Sequence, residues 1–206
     1  MQIRPSKMIY PANRFLLTFV ILLVLQSCAN YKIHYAKPEQ VSATLDVTPQ
    51  GKVTHTMFLI GDAGNAAPGA IPPAVALLQD KLRATKDPKN ASVVFLGDNL
   101  YPNGFAPKRE EAERAIDEYR LRVQLDAVKD FPGQIFFVAG NHDWYTWGIQ
   151  GLKQERKFIE EYLGRENVWL PKPGCGDPVE VELNKDLVVV LLDSEWYLAD
   201  WDGHTE

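Results

Sequence analysis

Three short, uninterrupted apolar runs, each closing near glycine and a polar side chain, constrain this chain more than anything else in it. They are Met57-Phe58-Leu59-Ile60 before Gly61-Asp62, Val93-Val94-Phe95-Leu96 before Gly97-Asp98, and Ile135-Phe136-Phe137-Val138 before Gly140-Asn141. A strand that is apolar on both faces must be covered on both, which is the habit of parallel sheets flanked by helices. The intervening segments have helical spacing. Ala74 to Ala84 places Leu77, Leu78 and Leu82 on an inner face, and Arg109 to Asp130 does the same with Ala112, Ile116, Tyr119, Val123 and Ala127. A third helix covers Gly151 to Leu163, with Gly164 as its C-cap. Val179 to Leu183 and Leu187 to Leu192 then read as two strands around an Asn184-Lys185-Asp186 turn. The expected fold is α/β: right-handed βαβ layers with a mixed, mainly parallel sheet, the last two strands departing from the alternation.

In such sheets ligands bind beyond the carboxyl ends of the strands. Three clusters stand there: Gly61-Asp62-Ala63-Gly64-Asn65, Gly97-Asp98-Asn99-Leu100-Tyr101 and Gly140-Asn141-His142-Asp143. Taken singly, a Gly-Asp after a strand is more often a cap or turn, and Asn-His-Asp is as readily a satisfied turn. At three neighbouring strand ends they point to shared chemistry. Asp62 and Asp98 would repel each other at close range unless a positive centre lay between them. Carboxylate, amide and phenol oxygens suit hard cations such as iron, manganese or magnesium, and zinc once histidine joins them. Two cations about 3.5–4 Å apart can clamp a phosphoryl group and lower the pKa of a bound water, giving a hydroxide that attacks phosphorus in line.

From Thr56 to Leu198 these motifs resemble the calcineurin-like metallophosphoesterases, and within them the purple acid phosphatase branch. That branch opens with Gly-Asp-x-Gly, as at Gly61 to Gly64, and places a tyrosine three residues after the second aspartate, as Asp98 and Tyr101 are placed here. The resemblance implies metal-dependent hydrolysis of phosphate esters at a centre of two metal ions, iron with a divalent partner (zinc, manganese or iron). It makes Asp62 and Tyr101 ligands of the first metal, Asp98 a bridge, and Asn141 a ligand of the second. It gives His142 contact with the phosphate and assistance to the leaving group, with Asp143 orienting the imidazole ring. Asn65 and Asn99 are weaker candidates for substrate contact, being equally good turn formers.

Three further histidines complete the family's site, and they are not matched here. The chain has His34, His55, His142 and His204 only. His55 precedes the first strand and reads as a solvated residue. Gly203-His204-Thr205-Glu206 carries glutamate where a second histidine belongs. The resemblance thus implies more sheet and the missing ligands beyond Glu206, so that the fold is incomplete at its C-terminus and this stretch alone is inactive. The alternative is a non-catalytic envelope module that keeps the fold with an incomplete metal site. Trp144, Tyr145 and Trp147, with Trp196, Tyr197 and Trp201, read first as loop packing and second as a pocket wall. Cys175 sits in a glycine-rich loop and reads as structural.

The N-terminus carries a different message. Arg4, Lys7 and Arg14 precede the apolar run Phe15 to Leu25, which is too short to span a bilayer comfortably and reads as a secretory signal. It ends in Leu25-Gln26-Ser27-Cys28, which resembles a bacterial lipobox; a plain signal with a chance cysteine is the competing reading. The expected organisation is a signal peptide over 1–27, a tether over 28–51 and the phosphoesterase-like portion over 52–206. Lipid on Cys28 implies a cell-envelope protein held at a membrane, at the outer membrane or the periplasmic face. Cys175 is then left without an intrachain partner, and two cysteines exclude a thiolate zinc cluster. Without the leader, 19 basic side chains face 27 acidic ones, a net charge of −8. That balance, with no basic stripe, argues against nucleic acid as a partner.

Overall fold

A computed structural model describes residues 51–198. The signal and tether segments, Cys28, His34, Trp201 and His204 lie outside the described residues. Strands β1 (Thr56–Ile60), β2 (Ala91–Phe95) and β3 (Gln134–Phe137) form a parallel sheet in that order. In register, Ile60 lies beside Phe95, which lies beside Phe137. The strand positions and parallel pairing follow the sequence expectation. Every residue of central β2 is buried.

One sheet face carries Val93, Phe95, Ile135 and Phe137 against helices α1 (Pro73–Arg83), α2 (Glu111–Val128) and α4 (Gly148–Leu163), with Leu121, Leu125, Leu152 and Ile159 filling the interface. The Phe95 and Phe137 rings stack at 4.2 Å. Each such side chain contributes about 1.5–3 kcal/mol on burial. The other face packs Val94, Phe136 and Val138 against the hairpin of β4 (Val179–Asn184) and β5 (Leu187–Leu191). A single helical turn, α3 (Asn141–Trp144), follows β3.

The structure departs from expectation in several places. The hairpin is a two-stranded sheet of its own, not an extension of the parallel one. Its strands alternate because only one face meets the core. Leu59 of β1 is 59% exposed, so β1 is covered chiefly on its helical side. Helix α1 buries Val75 with Leu78 and Leu82 and leaves Leu77 exposed. Helix α2 is rotated in part from its expected phase: Val123 and Ala127 pack against the core as expected, but Asp117, Leu121, Gln124, Leu125 and Val128 are the buried residues and Ile116 is exposed. Helix α4 starts three residues early, at Gly148, and ends at Gly164 in the left-handed region (φ 61°), as expected of a C-cap. His55 is half-buried, its Nε2 3.0 Å from Ser92 Oγ, rather than solvated. Among the described residues, no helix is long and apolar enough to cross a membrane.

Candidate metal and phosphate site

The sheet's hydrogen bonding runs on past the strand ends and aligns the three loops. Leu96 N donates to Ile60 O at 2.8 Å, Val138 N to Phe95 O at 2.9 Å, and Asp62 N to Gly97 O at 3.2 Å. Beyond that point the chain turns sharply. Asp62 (φ 55°) and Asp98 (φ 54°) both adopt left-handed backbone, which costs a non-glycine residue energy and tends to persist where surrounding structure enforces it. The first two loops then touch backbone to backbone. A Cβ on Gly64 would lie 2.3 Å from the Asn99 carbonyl carbon and 2.4 Å from Leu100 N, so only glycine fits. Gly64 N donates to Asp98 O, and Tyr101 N donates back to Gly64 O.

This packing brings the expected ligands together. The Tyr101 hydroxyl lies 2.7 Å from Asp62 Oδ1 and 2.7 Å from Asp98 Oδ2. Its one proton serves one carboxylate at a time. Burial, then hydrogen bonding to the two aspartates and their charges, holds the phenol well above its ordinary pKa. A cation would act in the opposite direction, since it favours the phenolate. The other Asp98 oxygen, Oδ1, accepts from His142 N at 3.0 Å, tying the third loop to the second. Asn141 donates through Nδ2 to the Tyr145 hydroxyl at 2.7 Å, which leaves its Oδ1 as the atom suited to a cation. Asp62, Asp98 and Asn141 line one open cleft of about 490 Å³, together with Tyr145, Ser194 and Glu195.

The donor set fits a hard cation in kind: two carboxylates and a phenol converge, with an amide at the same cleft. It does not reach a full shell. Among the described residues, no group of three or more His, Cys, Asp or Glu side chains is placed to hold a metal, so the cluster reaches three donors only through Tyr101.

His142 lies in contact with the Tyr101 and Tyr145 rings, tilted against each, with centroids 4.1 and 4.7 Å away. Its Nδ1 lies 2.9 Å from the Pro102 carbonyl, so the Nδ1 proton is held there and Nε2 is the nitrogen able to exchange one. This corrects the role expected of Asp143, which does not orient the ring. Asp143 is wholly buried and organises the loops instead. Gly140 N, Asn99 N, Asn99 Nδ2 and Leu100 N all donate to its carboxylate at 2.8–3.2 Å. Burial pushes its pKa up to about 7; the amide donors act to lower it, and the charge of Asp98 raises it.

Asn99 is likewise corrected. It is buried, donating to Val138 O and Asp143, and so is part of the loop scaffold rather than a substrate contact. Asn65 is exposed, with Oδ1 accepting from Arg120 at 3.5 Å.

Of the aromatic residues, Tyr145 walls the cleft, whereas Trp144 donates to Asp193 and packs near Trp196. Burial holds the Asp193 carboxyl above its usual range. Cys175 is exposed and unpaired by any disulfide. Sequence reasoning missed Tyr145 as Asn141's partner, although the i, i+4 spacing was available as a signal. Ser194 and Glu195 carried no local signal, since they reach the cleft only through the fold of the hairpin.

A family model described as calcineurin-like phosphoesterase matches residues 55–202. No curated protein and no solved structure matches the chain.

Proposed function

This chain belongs to the calcineurin-like phosphoesterase family, a family of hydrolases acting on phosphate esters, and from that membership we propose a metal-dependent phosphatase of the purple acid type, anchored in a bacterial cell envelope. The observation that carries the reading is the placement of the Tyr101 hydroxyl 2.7 Å from both an Asp62 and an Asp98 carboxylate oxygen, at the ends of two paired parallel strands.

Asp62, Asp98, Tyr101 and Asn141 are the described residues that would contribute ligands to iron and a divalent partner. Cations bound there supply Lewis-acid polarisation of phosphoryl oxygens and activation of water. His142 exchanges a proton with the leaving-group oxygen at Nε2, its ring fixed by Pro102 O and by the two tyrosines. Asp143 acts as a positioning residue, since it holds the backbone of the second and third loops together. Asn65, exposed in the first loop, is available to a substrate. The Leu25-Gln26-Ser27-Cys28 sequence supports lipid attachment at Cys28 and residence at the outer membrane or periplasmic face.

The test is hydrolysis of p-nitrophenyl phosphate by the natural gene product supplied with iron, manganese or zinc. Metal-dependent turnover is expected. Asp98→Asn should abolish it, and His142→Ala should slow it by roughly a hundredfold or more. Full activity in Asp98→Asn would remove the mechanism. Detergent-phase partitioning of the same preparation checks the anchor: the wild type should enter the detergent phase and Cys28→Ser should not.

A second reading, an envelope module without turnover, is favoured by the absence of a three-member His, Cys, Asp or Glu group among the described residues. Cation binding without hydrolysis under any metal would support it.

A further inference from the structure

Helix α2 presents three polar side chains, Asp117, Arg120 and Gln124, at i, i+3 and i+7, which places them on one helical face. A buried face of this kind normally carries apolar residues, and these polar ones reach toward the two loops that bear Asp62, Asp98 and Tyr101. Gln124 Nε2 donates to Asn99 O at 2.8 Å. Arg120 does more. Its Nη1 donates to the Tyr101 carbonyl, its Nε lies 3.5 Å from Ala66 O, and its Nη2 lies 3.5 Å from Asn65 Oδ1. The buried carboxylate of Asp117 stands 3.9 Å from Nη1 and is itself held by Ala106 N at 3.0 Å. Only 17% of the Arg120 side chain is exposed.

One planar guanidinium thus spans the first loop, three and four residues after Asp62, and the peptide of Tyr101 in the second loop. Its fork has a fixed shape, so it sets the separation of the two loops in a way a flexible ammonium does not.

We infer that Arg120, backed by Asp117, is a positioning residue that holds the Asp62 and Tyr101 loops at the spacing a shared cation requires. The inference rests on the metallophosphoesterase reading and extends it to a residue outside every motif. Arg114, on the same helix, provides the control. It is comparably buried, pairs with Glu118, donates to Ala106 O at the far end of the second loop and lies over the Phe105 ring, with no bond to the Asp62 loop or to residues 98–101.

The test titrates Mn²⁺ calorimetrically into the natural gene product, its Arg120→Ala, Arg120→Lys and Arg114→Ala variants, with a thermal melt and amide exchange on each. Arg120→Ala should weaken Mn²⁺ binding about tenfold or more, with Arg120→Lys recovering only part, while Arg114→Ala lowers the melting temperature and leaves affinity unchanged. Faster exchange at Gly64 N and Tyr101 N in Arg120→Ala, with or without Mn²⁺, is expected alongside. Wild-type affinity in Arg120→Ala, or a loss that Arg114→Ala matches at equal destabilisation, overturns the inference. Should Arg120→Ala fail to fold, wild-type affinity in Arg120→Lys does the same. A wild type that binds no Mn²⁺, zinc or iron instead overturns the phosphoesterase reading. In that case unchanged amide exchange in Arg120→Ala removes the loop-spacing role as well.

Discussion

Glu155 is the residue whose placement most needs a physical account. It lies on the inner face of α4, wholly buried, and neither carboxyl oxygen has a hydrogen-bond partner. Burial first, then the charges of Asp143 and Asp117, raise its pKa well above the ordinary carboxyl value. Asp117, also mainly through burial, is pushed up to about 6. The sign for stability follows directly. Between the unfolded pKa and the raised folded one, the unfolded chain releases a proton that the folded chain keeps, so stability falls as pH rises through that window. Glu155→Gln removes one such titration while keeping the volume. It should raise the melting temperature more at pH 8 than at pH 5. Melts of wild type and variant at the two pH values check this, and an equal shift at both would show that Glu155 is not the titrating group.

At the scale of elements, what the sequence declared and what it concealed divide along a physical line. Strands β1 to β3 and their terminal clusters were legible because continuous apolar runs and Gly-Asp turns are local signals. The convergence of Asp62, Asp98 and Tyr101 followed from them. The phase of α2 was legible only in part. Of its apolar residues at 112, 116, 119, 123 and 127, Val123 and Ala127 do pack against the core, but Ile116 is exposed and the buried face carries Asp117 and Gln124. Those two are buried because Ala106 N and Asn99 O need partners, a demand set by loops distant in sequence. The partner of His142 was concealed for the same reason, being a backbone carbonyl that no side-chain pattern reveals. The corrected phase makes a sharp prediction. Leu125→Ala should cost about 2–5 kcal/mol, as a deleted core side chain does. Ile116→Ala, at a position 41% exposed, should stay within about 0.5 kcal/mol of wild type by urea unfolding. Similar losses from both would mean that the helix packs on the face its apolar residues suggest.

At the scale of the whole molecule, the question is how many cations the described domain can hold. At the strand ends its cleft offers the Asp62 and Asp98 carboxylates and the Asn141 amide, with the Tyr101 phenol bonded to both carboxylates, all oxygen donors; Glu195 lines the same cleft from beyond β5. Imidazole is scarce among the described residues. His142 has Nδ1 occupied by Pro102 O, and His55 pairs with Ser92 just before the N-terminal end of β1, whereas Asp62 lies beyond its C-terminal end. A strand of five residues at about 3.3 Å each keeps His55 roughly 17 Å from the site. Four such donor groups can hold one hard cation with water completing its shell, but a second, closely spaced cation needs further donors to offset its charge and fill its coordination. Residues 51–198 on their own should therefore bind no more than one Mn²⁺ or Zn²⁺ per chain and turn over p-nitrophenyl phosphate little if at all. A cooperative melt would separate a missing ligand set from a failure to fold. Two tight cations per chain with robust turnover would show that the cleft, with Glu195 or other neighbours drawn in, already supplies a complete dinuclear site.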